Sequence, residues 1–105
     1  MRGLHVWLMA ALPLTAASGE AQEVGQAGHG FALAHRLCAQ CHAVRNDQAR
    51  SPNENAPRFK VIASVPGMTA IALSAALNTS HRSMPNIMLE AEEQANIIAH
   101  ILSLK

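Results

Sequence analysis

The sequence is poor in large rings and in cysteine. It contains one tryptophan, two phenylalanines and no tyrosine among 105 residues, so aromatic side chains fill little of its core. A disulfide between its two cysteines, Cys38 and Cys41, would close only a small ring and constrain little of the unfolded chain. The formal net charge of +1 provides no basic field for nucleic acid. A bound cofactor or metal is therefore the expected source of stability in so small a domain.

The N-terminus has the pattern of a secretory signal peptide. Arg2 precedes an apolar run over residues 6–17, and small residues follow it. The run is shorter than the about 20 apolar residues that a membrane-spanning helix needs. The pattern predicts a cleaved signal over residues 1–21 and a mature domain over residues 22–105, in the periplasm and without a membrane span. Residues 22–29 lack periodicity and are expected to be flexible. An uncleaved N-terminal tether is the alternative.

Helical periodicity and helix breakers predict an all-α domain with three main helices joined by long loops. The first helix is predicted over residues 30–39, so that the cysteine motif lies at its C-terminal end. The second is predicted to begin after an N-cap at Thr69 and to stop at residues 78–80. The third is predicted over residues 89–105, where apolar residues recur at helical spacing from Ala95 to Leu102. Three prolines exclude a long helix from residues 44–68.

The two cysteines belong to the motif CAQCH, for which four kinds of site compete. Zinc normally takes four ligands, and the chain has no second cysteine pair. Iron–sulfur clusters need more thiolates, and a redox-active cysteine pair begins a helix whereas this pair follows one. Haem attachment uses Cys38, Cys41 and His42, because two thiols form thioethers with the vinyl groups and the adjacent imidazole reaches the iron. The motif predicts one covalently bound haem c.

A low-spin electron carrier needs a second ligand on the opposite face of the iron, and three methionines compete for that position. Met84 lies in a predicted loop and is followed by Pro85, which fixes the backbone. Met68 and Met88 adjoin predicted helices, where packing in the core explains them. Met84 is therefore the predicted distal ligand. His81 is its rival, and an open coordination position is the remaining alternative.

With these motifs the sequence resembles the class I cytochromes c, small exported electron carriers with one haem. Besides CAQCH, three weaker segments follow in the family's order: NAPRF (55–59), HRSMPN (81–86) and IIAHILSL (97–104). The resemblance implies the cytochrome c fold, with long loops wrapped around the haem, and electron transfer instead of enzymatic catalysis. It assigns attachment of the haem to Cys38 and Cys41 and axial ligation to His42 and Met84.

The same resemblance implies three supporting residues. Pro57 matches the family proline whose carbonyl accepts a hydrogen bond from the proximal histidine. Gly30 matches the glycine that lets the first and last helices cross closely, and His100 stands where the family usually has an aromatic residue at that crossing. The tyrosine and tryptophan that many relatives place against the haem propionates are missing. Three residues are candidates to replace them: Arg58, Asn78 and Ser80.

The surroundings of the haem are predicted from the loops and helices that flank the motifs. The expected apolar wall, which would raise the reduction potential, consists of Ala72, Leu73, Ala76, Leu77, Ile98 and Leu102. Five cationic residues fall in loops that are expected to border the haem edge, where they could contact redox partners. For each of them the alternative is an ordinary solvent-exposed charge without such a role. They are Arg45, Arg50, Arg58, Lys60 and Arg82.

The predicted function is outer-sphere electron transfer between redox protein partners by a monomeric periplasmic carrier that is not an enzyme. Two alternatives share the same haem. The first is a haem subunit docked permanently to a dehydrogenase or oxidase, which an exposed apolar patch would favour. The second is a ligand-binding haem sensor in which Met84 is not a firm ligand.

Overall fold

The computed structural model describes residues 2–3, 10–14 and 24–105 of the chain. Within these ranges it contains four helices and no strands: α1 (Ala27–Leu37), α2 (Phe59–Ala63), α3 (Ala70–Leu77) and α4 (Ala91–Ser103). The predicted all-α fold with three main helices is confirmed, and α2 adds one short helix inside the proline-rich loop. Most of the predicted signal peptide, with its cleavage site, lies outside the described residues. In the part of the chain that is described, no helix is long and apolar enough to cross a membrane.

Helix α1 begins at Ala27, earlier than predicted, so residues 27–29 belong to a helix and not to a flexible N-terminus. Contacts with α4 explain the difference. The Gln26 amide donates a hydrogen bond to Asn96 Oδ1 at 2.7 Å, which holds the start of the helix against α4. This tertiary contact overrides the low helix propensity of Gly28. The helix ends at Leu37, and Cys38 is its C-terminal cap, as the pattern predicted for the motif.

Helices α1 and α4 cross in direct backbone contact. A Cβ atom added at Gly30 would overlap the backbone carbonyl of Asn96, and one added at Gly25 would overlap that of Ala95. Only glycine leaves room for an approach this close. Gly30 therefore lies at the crossing, where the resemblance implies it. Helix α4 also contacts α2 and α3, which makes it the central element of the described domain.

Side chains near the helix ends set the bounds of α3 and α4. Thr69 Oγ1 accepts a hydrogen bond from the Ala72 amide at 3.1 Å, which confirms the predicted N-cap of α3. Helix α4 begins at Ala91, not at the predicted residue 89, because Glu90 and Glu93 form a capping box there. Its reciprocal hydrogen bond joins the Glu90 amide to Glu93 Oε1 at 3.0 Å. The acidic first turn also complements the helix dipole.

Candidate haem site

A cavity of about 480 Å³ opens between the end of α1, helix α3 and the loop before α4. The five residues predicted for the site all line it: Cys38, Cys41, His42, Pro57 and Met84. Its volume lies within the range of about 300–1,000 Å³ that small-molecule and cofactor sites have. The structure thus brings together side chains that the sequence separates by as many as 46 positions, from 38 to 84.

The wall of the cavity is apolar, but α4 contributes a different face from the predicted one. Leu73, Ala76 and Leu77 of α3 line the cavity as expected. From α4, the cavity is lined by Ile97 and Ile101, not by the predicted Ile98 and Leu102. The apolar stripe of α4 is wide, and the two pairs of residues differ by a rotation of about 100° around the helix. Ile98 is buried in the core instead, while Ala72, also predicted for the wall, is exposed.

The two thiols are held at the edge of the cavity as free, half-buried groups. Cys38 follows α1 as its C-terminal cap, and burial raises the pKa of its thiol to about 11. A thiol that takes part in disulfide exchange needs the opposite, a pKa lowered by a helix N-terminus or a nearby positive charge. The environment of Cys38 therefore does not suit a thiol–disulfide oxidoreductase. Within the described residues no group of three or more metal-ligating side chains of His, Cys, Asp or Glu is present.

His42 is fixed both by its backbone and by its ring. The backbone amides of Cys41 and His42 donate to the Cys38 carbonyl at 3.2 and 2.9 Å, which folds the motif into a turn. The ring Nδ1 of His42 lies 2.7 Å from the carbonyl oxygen of Pro57. Because a carbonyl only accepts, Nδ1 carries the hydrogen, and the lone pair of Nε2 is left available to a metal. The ring also packs against Phe59, with centroids 5.4 Å apart.

Ala43, the residue after His42, connects the motif to the surrounding loop by hydrogen bonds of its backbone. Ala43 is fully buried. Its amide donates to Ser51 Oγ at 3.0 Å, and its carbonyl accepts a hydrogen bond from the Phe59 amide at 2.9 Å. A further loop bond joins the Asn53 amide to the Cys41 carbonyl at 3.1 Å. The long loop is therefore anchored to the motif at several points, although it contains only one short helix.

Met84 lies in a turn whose backbone is restricted on both sides. Ser83 has a φ of 70°, a left-handed conformation uncommon outside glycine, and Pro85 limits the backbone after it. Met84 is half-buried, and its amide donates to the His81 carbonyl at 3.3 Å. Met88 is 93% exposed and, like Met68, does not line the cavity, whereas the rival ligand His81 does. Of the three candidate methionines, Met84 is the one that the fold places at the cavity.

The polar part of the lining differs from the prediction. Among the five cations expected at the haem edge, all of which the structure describes, only Arg82 lines the cavity. Arg45 pairs with Asp47 at 3.2 Å, with both side chains largely exposed. The three candidates for contact with the propionates, Arg58, Asn78 and Ser80, do not line it either. The polar residues that do so, which sequence reasoning missed, are Gln40, Asn53, Asn55 and Ser83.

His100 occupies the aromatic position at the crossing of α1 and α4. It is 6% exposed, and its ring centroid lies 5.2 Å from that of Phe31 and 6.2 Å from that of Phe59. Its Nε2 lies 2.7 Å from the carbonyl oxygen of Val44. The polar side chain therefore has the partner that its burial requires.

The chain is similar to a known protein over nearly its whole length. The chain is 34% identical over 102 residues to a cytochrome c-552 of Bradyrhizobium diazoefficiens, and the match covers 97% of each of the two chains. No family model and no solved structure matches the chain. The region of similarity includes the CAQCH motif and the loops that surround the cavity.

Proposed function

Because the chain belongs to the cytochrome c family and carries haem c, we propose that it is a periplasmic one-electron carrier whose iron is coordinated by His42 and Met84. Haem-based electron transfer is the chemistry of this family. The observation that carries the finer proposal is the cavity lined by both cysteines, by His42 and by Met84. A single group in that cavity can be held covalently at one edge while two ligands reach it from different segments of the chain.

The size of the cavity and the chemistry of its lining fit a haem. The cavity is large enough for a cofactor and largely apolar, and both thiols are free to hold the group covalently through thioether bonds. When bound, haem supplies one electron by cycling between Fe(III) and Fe(II). The apolar lining from α3 and α4 excludes water and disfavours the additional charge of the oxidised state.

His42 and Met84 have opposite effects on the reduction potential. The hydrogen bond from His42 Nδ1 to the Pro57 carbonyl makes the imidazole a stronger donor and so stabilises Fe(III). The thioether of Met84 is a weaker donor than a second imidazole and favours Fe(II), which raises the potential. If His42 and Met84 both hold the iron, the chain would leave no coordination position for a substrate, and the haem would serve to exchange an electron with a redox protein.

Carbon monoxide binding to the reduced holoprotein at neutral pH tests this assignment. A carrier that is firmly coordinated by His42 and Met84 is expected to take up little of the gas, because Met84 would have to be displaced. Ready uptake would favour the sensor, in which Met84 is not a firm ligand. Fractionation of the source cells adds the second part of the test, since the holoprotein is expected in the periplasmic fraction.

Three exposed apolar side chains favour a second candidate function, a haem subunit docked to a dehydrogenase or oxidase. Residues 61–80 contain no charged side chain. Within them Ile71 is 69% exposed, and Val61 and Val65 are each 47% exposed. Exposed apolar side chains that form a continuous patch are typical of a protein contact site. Gel filtration of a native extract, followed by haem absorbance, separates the candidates: a free carrier elutes at the size of a single small chain, and a docked subunit elutes with a large complex.

A further inference from the structure

The carbonyl of Val44 is a buried acceptor next to the proximal side of the site. Val44 is 1% exposed and lies two residues after His42. A carbonyl in that position needs a donor, because water does not reach it. His100 Nε2, 2.7 Å away on α4, supplies the donor. Since the carbonyl only accepts, the hydrogen of the His100 ring resides on Nε2.

His100 therefore makes two kinds of contact, a hydrogen bond and ring packing, and substitutions can remove one while keeping the other. Its ring packs between Phe31 and Phe59, and the Phe59 ring packs in turn against that of His42. A phenylalanine would preserve this ring packing. It would not donate to the Val44 carbonyl, which would then be left buried without a partner.

We propose that His100 is a positioning residue for the proximal histidine: its Nε2–H holds the Val44 carbonyl and thereby the orientation of His42. The segment from His42 to Val44 is held at both ends, by the Pro57 carbonyl at the His42 ring and by His100 at Val44. The proposal rests on the proposed function, in which His42 coordinates the iron.

Loss of the Val44 hydrogen bond has a defined consequence at the iron. An unpaired carbonyl draws the backbone toward another donor or toward water, and this movement strains the short bond between His42 Nδ1 and the Pro57 carbonyl. A weaker bond at Nδ1 makes the imidazole a poorer donor and stabilises Fe(III) less. The reduction potential of His100→Phe is therefore expected to be higher than that of the wild type.

His100→Gln keeps a hydrogen-bond donor but removes the aromatic ring. Glutamine has an Nε2 that is separated from Cα by the same number of bonds as that of histidine, and it donates hydrogen bonds. It lacks the ring that packs against Phe31 and Phe59. This variant is expected to retain the potential of the wild type and to lose thermal stability. A third variant, Phe31→Leu, removes ring packing on the α1 side without touching any donor and is the packing control.

The test is a redox titration and a thermal melt of the four haem-loaded full-length proteins, at one pH and one ionic strength. The expected pattern is a raised potential in His100→Phe alone. The melting temperature is expected to fall in all three variants, in His100→Phe because the buried Val44 carbonyl loses its donor and in the other two because ring packing is lost. A wild-type potential in His100→Phe, or an equal rise in His100→Gln, would overturn the positioning role. A wild-type spectrum that lacks six-coordinate, low-spin features would instead refute the ligation by His42 and Met84.

Nitrogen NMR of the labelled wild-type protein tests the same contact without a variant and therefore applies even if His100→Phe fails to assemble. The His100 ring is expected to show a protonated Nε2 whose hydrogen exchanges slowly with water. A hydrogen on Nδ1 alone, with Nε2 bare, would show that no bond to Val44 exists and would overturn the proposal.

Discussion

His42 and Pro57, 15 residues apart in the chain, are joined by a contact of 2.7 Å between the ring Nδ1 and the backbone carbonyl. The contact sets which ring nitrogen carries the hydrogen and leaves the lone pair of the other available to a metal. A proline is suited to the acceptor role, because its ring restricts the backbone that presents the carbonyl. The orientation of the His42 ring is thus established by the fold of the loop.

Met84→Ala is expected to abolish the weak charge-transfer band between sulfur and Fe(III) near the red end of the oxidised spectrum. The band requires a thioether on the iron, and Met84 is the methionine that lines the cavity. Visible absorption of the oxidised holoprotein measures it. Met88→Ala is the matched control, since Met88 is 93% exposed and outside the cavity, and it should leave the band intact. A band that survives in Met84→Ala would reassign the distal ligand.

Gly30→Ala is expected to destabilise the domain strongly at the crossing of α1 and α4. The added Cβ overlaps the Asn96 backbone carbonyl, and overpacking of this kind costs about 1–3 kcal/mol or more because the helices must separate. Chemical denaturation of the holoprotein measures the change in the free energy of unfolding.

Gly28→Ala is the control for that experiment, because the site lies in the same helix but has nothing within 4 Å of the added Cβ. There alanine is expected to stabilise the helix by about 0.5–1 kcal/mol. Equal effects at the two glycines would show that helix propensity, and not the crossing, determines the outcome.

The haem-free chain is expected to be largely unfolded. Without the cofactor an apolar cavity of about 480 Å³ faces the solvent, and residues 24–105 contain only two large aromatic side chains, both phenylalanines, to fill a core. Small domains with a core this limited depend on a bound group for stability. Circular dichroism of purified apoprotein during heating provides the measurement. A cooperative thermal transition like that of the holoprotein would contradict the expectation.

The mature protein is expected to begin near Gln22. The charged first residues, the apolar run and the small residues that follow it predict cleavage after Ala21. N-terminal sequencing of the protein from the source cells gives the cleavage site directly. Recovery of Met1 at the N-terminus of the holoprotein would favour the uncleaved tether.

The sequence predicts local features, such as helix caps and turns, better than contacts between distant residues. The Thr69 cap and the CAQCH turn involve residues that are close in the sequence, so both can be predicted from residue spacing alone. The face of α4 that meets the cavity was predicted wrongly, because its apolar stripe is wide enough to present either Ile97 or Ile98. The hydrogen bond between His100 and Val44 joins residues 56 positions apart, and no periodic pattern encodes such a pairing.

The sequence also does not predict which loop residues line the cavity. Arg82 lines the cavity whereas Arg58 does not, although both fall in loops next to predicted ligands. The path of a loop is decided by long-range bonds such as those of Ala43 with Ser51 and Phe59. The composition of such a loop predicts that it surrounds a bound group, but it does not predict which side chains point toward that group.

Mass spectrometry of the intact holoprotein after treatment with a thiol-alkylating reagent tests the central claim most directly, that one haem is bound covalently through Cys38 and Cys41. The account predicts the mass of the mature chain plus one haem, no alkylated thiol, and a haem-bearing peptide that contains both cysteines. A colourless protein whose mass shows two alkylated cysteines and no haem would contradict it.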